Sequence, residues 1–121
     1  MPVKKVLVVD DSATDRAHLK SVLEKQNVTV VTAASGKDAL DVAETECPDM
    51  IFLDIIMADM DGYAVCRSLQ ENNVTKEIPI IFVSSKKNQA DIMWANEQGG
   101  SGYVIKPYAP DDIEKQLQQV H

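Results

Sequence analysis

The sequence predicts an α/β fold, a doubly wound five-stranded parallel sheet with helices on both faces. Short apolar runs rich in β-branched residues recur along the chain without strict alternation, which is typical of strands covered on both faces. Amphipathic segments of helical length separate these runs. The resulting strand-then-helix unit repeats five times without a linker or a low-complexity tract, which favours a parallel sheet.

The strands are predicted where four or five mostly apolar residues follow one another. In chain order they are Val6–Val9, Thr29–Ala33, Met50–Leu53, Ile80–Val83 and Tyr103–Ile105. The helices are predicted where apolar residues recur three or four positions apart. In chain order they are Ala13–Gln26, Gly36–Thr45, Tyr63–Glu71, Gln89–Gln98 and Pro110–Val120.

Length and charge limit what the chain can do. Its 121 residues, 45% hydrophobic and 26% charged, suit one globular domain spanning residues 1–121. The net charge is 12 − 19 = −7, which argues against sequence-independent binding of nucleic acid and against binding to an anionic membrane surface. The first apolar run, Val6–Val9, is too short for a signal peptide or a membrane span. Cys47 and Cys66 lack metal or disulfide spacing, so we expect buried or half-buried thiols in a cytoplasmic protein.

Polar side chains stand at the carboxyl ends of four predicted strands. Asp10 and Asp11 follow the first, Asp54 the third, Ser84 the fourth and Lys106 the fifth. One aspartate at a strand end is usually a helix cap or a turn residue. In open parallel sheets, however, functional sites lie at the carboxyl ends of the strands. Polar side chains at four such ends together therefore indicate a site.

The chemistry of these residues favours a cation and a phosphoryl group. Three neighbouring aspartates repel one another and need positive charge, of which Lys106 supplies one unit. Mg²⁺ can supply the rest because it prefers oxygen ligands. A carboxylate beside this ion can attack phosphorus, and Asp54 is the best candidate because it stands alone on the central strand.

The sequence resembles the CheY-like receiver domains of two-component response regulators over its whole length. The motifs that carry the resemblance are Val8-Val9-Asp10-Asp11-Ser12, Phe52-Leu53-Asp54-Ile55-Ile56-Met57, Met60-Asp61-Gly62, Ile81-Phe82-Val83-Ser84 and Tyr103-Val104-Ile105-Lys106-Pro107. The resemblance implies the flavodoxin-like strand order 2-1-3-4-5. Residues 93–100 are further similar to regulators of type IV pilus twitching motility, so we expect a role in chemotaxis or pilus-driven motility.

The resemblance also implies the metal site and the phosphoryl donor. Asp54 accepts the phosphoryl group from a histidine kinase or a phosphotransfer domain. Asp11 ligates Mg²⁺ directly and Asp10 directly or through water, beside Asp54. The backbone carbonyl of Ile56 completes the protein's share of the coordination. Such a domain is not an enzyme beyond its own phosphorylation and slow autodephosphorylation.

The resemblance implies a switch as well. Ser84 binds one phosphoryl oxygen and Lys106 another, while Tyr103 turns inward as the switch aromatic. The Lys106–Pro107 peptide bond is cis in the family. The surface of the fourth helix, fifth strand and fifth helix then controls a downstream protein target, and its candidate contact residues are Lys87, Ala90, Tyr103 and Tyr108. We expect a monomer without a following output domain, acting on a partner or as a phosphate sink.

Three positions depart from the family's usual pattern. Ala58 stands where proline is usual, Ser84 keeps the hydroxyl of the commoner threonine, and Ser85 stands where alanine is frequent. Ile56 and Lys86 occupy positions that tune the lifetime of the phosphoryl group in this family. Our hypothesis is that Ile56 obstructs the hydrolytic water and lengthens this lifetime.

Three other functions stay open. A flavin-binding module of this layout needs a Ser/Thr/Gly-rich first loop, where Asp10 and Asp11 would repel the flavin phosphate. An aspartate phosphatase needs a second acid two residues after Asp54, where Ile56 stands, and the pair Asp59 and Asp61 follows a loop rather than a strand. A receiver-like domain can also act as a scaffold without being phosphorylated.

Overall fold

The computed structural model describes residues 3–119, which form one sheet between two layers of helices. The strands are β1 (Lys5–Val9), β2 (Thr29–Ala33), β3 (Met50–Asp54), β4 (Ile80–Ser84) and β5 (Gly102–Ile105). The helices are α1 (Ala13–Glu24), α2 (Gly36–Glu46), α3 (Gly62–Glu71), α4 (Gln89–Glu97) and α5 (Pro110–Gln119). All strand pairs are parallel, in the order β2-β1-β3-β4-β5. The predicted fold class and strand order are confirmed.

Alternate residues of the central strands are buried on opposite faces of the sheet. In β1, Val6 and Val8 pack in a cluster with residues of α1 and α5, whereas Leu7 and Val9 pack with residues of α2, α3 and α4. All four are at most 1% exposed. Burial of each such side chain contributes roughly 1.5–3 kcal/mol. Coverage on both faces is the reason that β1 is apolar throughout instead of alternating.

Side-chain caps determine where three helices begin. Ser12, Ser35 and Asp61 each accept a hydrogen bond from the backbone amide three residues further on, at 3.2, 3.1 and 2.9 Å. These bonds satisfy amides that have no partner inside the helix. Because Ser12 caps α1, the chain turns directly after Asp11 and leaves two carboxylates at the end of β1.

Several predicted element ends shift by one or two residues. α1 ends at Glu24 instead of Gln26, and Asn27 just beyond it has a positive φ of 64°. α2 continues to Glu46 and is closed by Cys47, whose φ of 46° lies in the left-handed region. Cys47 is exposed, which corrects the expected burial of this thiol, whereas Cys66 is buried as expected.

The strands of the predicted site are one residue longer than expected. β3 includes Asp54 and β4 includes Ser84, so strand pairing holds the backbone of both residues. The predicted last helical residue, Val120, lies outside the described residues. Within residues 3–119, no helix is long and apolar enough to cross a membrane.

Candidate functional site

Three carboxylates meet at the carboxyl ends of β1 and β3. Asp10, Asp11 and Asp54 each place one carboxylate oxygen within 4.8 Å of the other two. Asp10 and Asp54 are buried, with 6% and 8% of their surface exposed, while Asp11 is exposed. The structure therefore brings together the three aspartates that the sequence analysis placed in one site.

Hydrogen bonds orient the two carboxylates that follow β1. The Oδ1 atom of Asp10 accepts from the backbone amide of Ser12 at 2.9 Å, and its carbonyl oxygen accepts from Nη1 of Arg16 at 2.8 Å. The Oδ2 atom of Asp11 accepts from the backbone amide of Ala58 at 3.0 Å. A proline at position 58 would have no amide proton to donate. The departure from the usual family residue thus creates a direct link between Asp11 and the loop after β3.

Lys106 reaches the site from the end of β5. Its Nζ lies 3.0 Å from Oδ2 of Asp10, 3.0 Å from Oδ2 of Asp15 and 3.8 Å from Oδ1 of Asp54. Burial opposes the charged form of this lysine, but the hydrogen bonds to Asp10 and Asp15 and the charge of Asp54 outweigh it. The pKa of Lys106 is therefore raised, and its ammonium group remains charged at neutral pH.

Asp54 has a weakened preference for its charged form. Burial, which is the largest cause, raises its pKa from 3.8 to about 6. The charge of Lys106 opposes this increase, and the charge of Asp10 adds to it. With a pKa near this value, most Asp54 carboxyl groups are ionised at neutral pH, and a nearby cation would ionise the rest.

Ser84 and Tyr103 lie on the neighbouring strands. Ser84 is 1% exposed, and its Oγ accepts a hydrogen bond from the backbone amide of Lys86 at 3.1 Å. The Tyr103 hydroxyl donates to the carbonyl oxygen of the same Lys86 at 2.7 Å. Burial raises the pKa of Tyr103, so its hydroxyl keeps its proton at neutral pH. Residues 84–86 therefore connect the acidic site to the aromatic side chain on β5.

The residues present fit a hard divalent cation. Three carboxylates offer oxygen ligands. Among the described residues, Lys106 has the only ammonium group that lies within 4.0 Å of two of these carboxylates, those of Asp10 and Asp54. Mg²⁺ is usually held by one or two carboxylates and keeps several waters, which suits a site with one exposed side, at Asp11. Asp10, Asp11 and Asp54 are the side chains that would hold it.

The remaining predicted site residues take different places. Ile56, two residues after Asp54, is 57% exposed, and the role of its carbonyl as a metal ligand remains a prediction. The Lys106–Pro107 peptide bond is cis, as the resemblance implied. The loop pair that an aspartate phosphatase would use has structural roles, since Asp61 caps α3 and Asp59 accepts from the first two amides of α2 at 2.9 and 3.0 Å.

One charged residue of the site, Asp15, was not predicted from the sequence. It lies in the first turn of α1, and its carboxylate contacts Lys106 across 91 positions of sequence. Its position four residues after Asp11 could have indicated that it lies near the site, because the first turn of a helix that directly follows a strand lies close to the end of that strand. The sequence of α1 does not show how the helix is rotated about its axis, and this rotation is what brings Asp15 into contact with Lys106.

Comparisons with known sequences agree on one family. The family model described as "Response regulator receiver domain" matches residues 6–118. The chain is 37% identical over 117 residues to the probable transcriptional regulator ycf27 of Guillardia theta, covering 97% of this chain and 45% of that protein. It is 34% identical over 116 residues to Protein PilH of Pseudomonas aeruginosa, covering 96% of each chain. The chain thus spans about half the length of the ycf27 relative and nearly all of PilH.

Comparison with solved structures gives the same fold. The chemotaxis response regulator CheY4 of Vibrio cholerae superposes with a TM-score of 0.91 at 29% identity, over 98% of this chain and 99% of that one. Receiver domains of this family are signalling modules, act with histidine kinases and downstream targets, and bind Mg²⁺ at an acidic pocket. From the matched family, the shared strand order and the acidic cluster at the strand ends, this chain belongs to the CheY-like receiver domains of response regulators.

Proposed function

We propose that Asp54 accepts a phosphoryl group from the phosphohistidine of a histidine kinase or a phosphotransfer domain. The observation that carries this proposal is the position of Asp54 beside the carboxylates of Asp10 and Asp11, with the ammonium group of Lys106 3.8 Å from its Oδ1 atom. A buried carboxylate with both a cation site and a fixed positive charge beside it can attack phosphorus without repelling the phosphoryl oxygens.

The proposed transfer uses the ionised form of Asp54. An Asp54 oxygen attacks phosphorus, the phosphorus–nitrogen bond to the donor histidine breaks, and the imidazole leaves with the electron pair of that bond. Mg²⁺ at the three carboxylates would supply positive charge to the phosphoryl oxygens during transfer. Lys106 is already within 3.8 Å of Asp54 and pairs with one phosphoryl oxygen, while the Ser84 hydroxyl donates to another.

The proposed switch begins at Ser84. Its Oγ now accepts from the amide of Lys86, whose carbonyl accepts from Tyr103, so a movement of Ser84 toward the phosphoryl group shifts the segment that holds Tyr103. The surface of α4, β5 and α5, with Lys87, Ala90, Tyr103 and Tyr108, changes as a result. A nearly complete switch needs roughly 5 kcal/mol of differential interaction. New charge-assisted hydrogen bonds from Ser84 and Lys106 supply much of this.

We infer that the chain acts as a monomeric receiver in the cytoplasm. The coverage of nearly all of PilH at 34% identity supports pilus-driven motility signalling, and the likeness to the chemotaxis regulator CheY4 supports chemotaxis. Free Cys47 and Cys66 suit a reducing compartment. A phosphate sink is the second candidate function, and absence of any partner specific to the phosphorylated protein would favour it.

Phosphorylation by a small-molecule donor tests the proposal without knowledge of the kinase. Wild-type protein with acetyl phosphate and Mg²⁺ should gain the mass of one phosphoryl group, and the gain should disappear with EDTA or in Asp54→Asn. Asp41→Asn, which removes an exposed aspartate on α2, should be labelled like the wild type. Labelling of Asp54→Asn to the wild-type extent would refute the assignment of the acceptor, and no labelling of the wild type would favour the scaffold interpretation.

A further inference from the structure

Lys106 is shared between two aspartates that are not the proposed phosphoryl acceptor. Its ammonium group is 3.0 Å from Asp10 and 3.0 Å from Asp15, and 3.8 Å from Asp54. An ammonium group has three protons to donate, and the two short contacts occupy two of them. These contacts leave one proton, so pairing with a phosphoryl group on Asp54 through more than one hydrogen bond requires Lys106 to release one of the two aspartates.

Asp15 is the partner that Lys106 can give up. Asp10 lies in the carboxylate cluster and contacts Lys106 from within the buried site, with 8% of its side chain exposed. The Asp15 side chain is 49% exposed and lies outside the carboxylate cluster, on the first turn of α1. Water can solvate the Asp15 carboxylate once Lys106 leaves, so breaking this contact costs less than breaking the buried one.

The position of Asp15 is set by the start of α1. Its backbone amide donates to the capping hydroxyl of Ser12 at 3.2 Å, which holds the first helical turn at the end of β1. Together with Lys106 and Tyr108, Asp15 lines an open cleft of about 370 Å³ beside the acidic site. Asp10 lines the same cleft, so open space surrounds the lysine head group between α1 and the end of β1.

We propose that Asp15 is a positioning residue that holds Lys106 on the α1 side of the site until a phosphoryl group forms on Asp54. Lys106 then exchanges Asp15 for a phosphoryl oxygen, so the ion pair with Asp15 favours the unphosphorylated state. This inference depends on the proposed phosphorylation of Asp54. Asp15 thereby opposes the switch and influences how readily it occurs.

Beryllofluoride, a non-covalent mimic of the phosphoryl group on aspartate, provides the test. Its affinity for the full chain, at saturating Mg²⁺, can be followed by the fluorescence of Trp94, the single tryptophan. Asp15→Asn should bind it about threefold to tenfold more tightly than the wild type, the range expected for a partly exposed, charge-assisted pair. Asp15→Glu, which keeps the carboxylate, should remain close to the wild type.

A double-mutant cycle separates the exchange of partners from the mere loss of a negative charge. In a Lys106→Met background, Asp15→Asn should have a much smaller effect, because no lysine remains to be released. Equal tightening with and without Lys106, or no tightening in the wild-type background, would overturn the inference. A wild type that does not bind beryllofluoride at all would instead overturn the proposed function.

The Lys106 ammonium signal in ¹⁵N-labelled protein gives a second readout that does not depend on the Lys106→Met variant. In the free protein, Asp15→Asn should shift this signal because a partner at 3.0 Å is lost. With beryllofluoride bound, the wild type and the variant should give the same signal. Signals that still differ in the bound state would show that Asp15 keeps its contact, which contradicts the exchange.

Discussion

Replacing Asp54 by asparagine should stabilise the metal-free protein, although Asp54 is central to the site. A carboxyl group whose pKa rises from 3.8 to about 6 on folding holds its proton more tightly in the folded chain. The folded state therefore loses stability as the pH rises through this window, by about 1.4 kcal/mol per pKa unit. The loss amounts to about 3 kcal/mol at most, and Asp54→Asn avoids it while keeping the shape of the side chain.

Urea denaturation at several pH values measures this effect. In EDTA at about pH 7.5, Asp54→Asn should be more stable than the wild type by about 1–3 kcal/mol, and the difference should vanish near the ordinary pKa of 3.8. Mg²⁺ should reduce the difference at neutral pH, because it should bind the wild type, with three carboxylates, more tightly than the variant, which keeps only Asp10 and Asp11. Asp41→Asn serves as the control for loss of an exposed charge. Equal stability of Asp54→Asn and wild type in EDTA at pH 7.5 would refute the reasoning.

Three further variants test the surroundings of the site. Gly62→Ala should destabilise the protein by about 1–3 kcal/mol in urea denaturation, since its Cβ would collide with the backbone carbonyl of Asp54. Asp59→Ala should lower the melting temperature by a few degrees more than Asp41→Ala, because the Asp59 carboxylate accepts hydrogen bonds from two α2 amides. These bonds also lower the pKa of Asp59, so the difference between the two variants should shrink as the pH falls below about 3.8. Ile56→Asn should shorten the lifetime of the acyl phosphate several-fold in a hydrolysis assay, and a longer lifetime would contradict the obstruction of water by the isoleucine.

The sequence predicts the fold because each local pattern reports which faces of an element are covered. Unbroken apolar runs such as Met50–Leu53 and helical spacing recovered all ten described elements in order. Element ends were less accurate, because they depend on backbone conformations that the pattern does not record. The positive φ of Asn27 and of Cys47 are examples, since neither residue is a glycine that would have signalled a left-handed turn.

The site was predictable where its residues directly end a strand. Asp10, Asp54 and Lys106 come together because parallel strands share one carboxyl edge, and counting strand ends is enough to find them. Asp15 was not predictable in this way, because its contact with Lys106 depends on how α1 is rotated against β5. Asp59 is similar, since it reaches the start of α2 from a loop 23 positions further along the chain.

Locating the phosphoryl group in the chain tests the central claim most directly. After treatment with acetyl phosphate and Mg²⁺, the protein can be digested and its labelled peptide fragmented in a mass spectrometer. We expect a single Mg²⁺-dependent label on the peptide that contains β3, assigned to Asp54. A label on another residue, such as the exposed His18, or a label that forms equally well in EDTA, would contradict it.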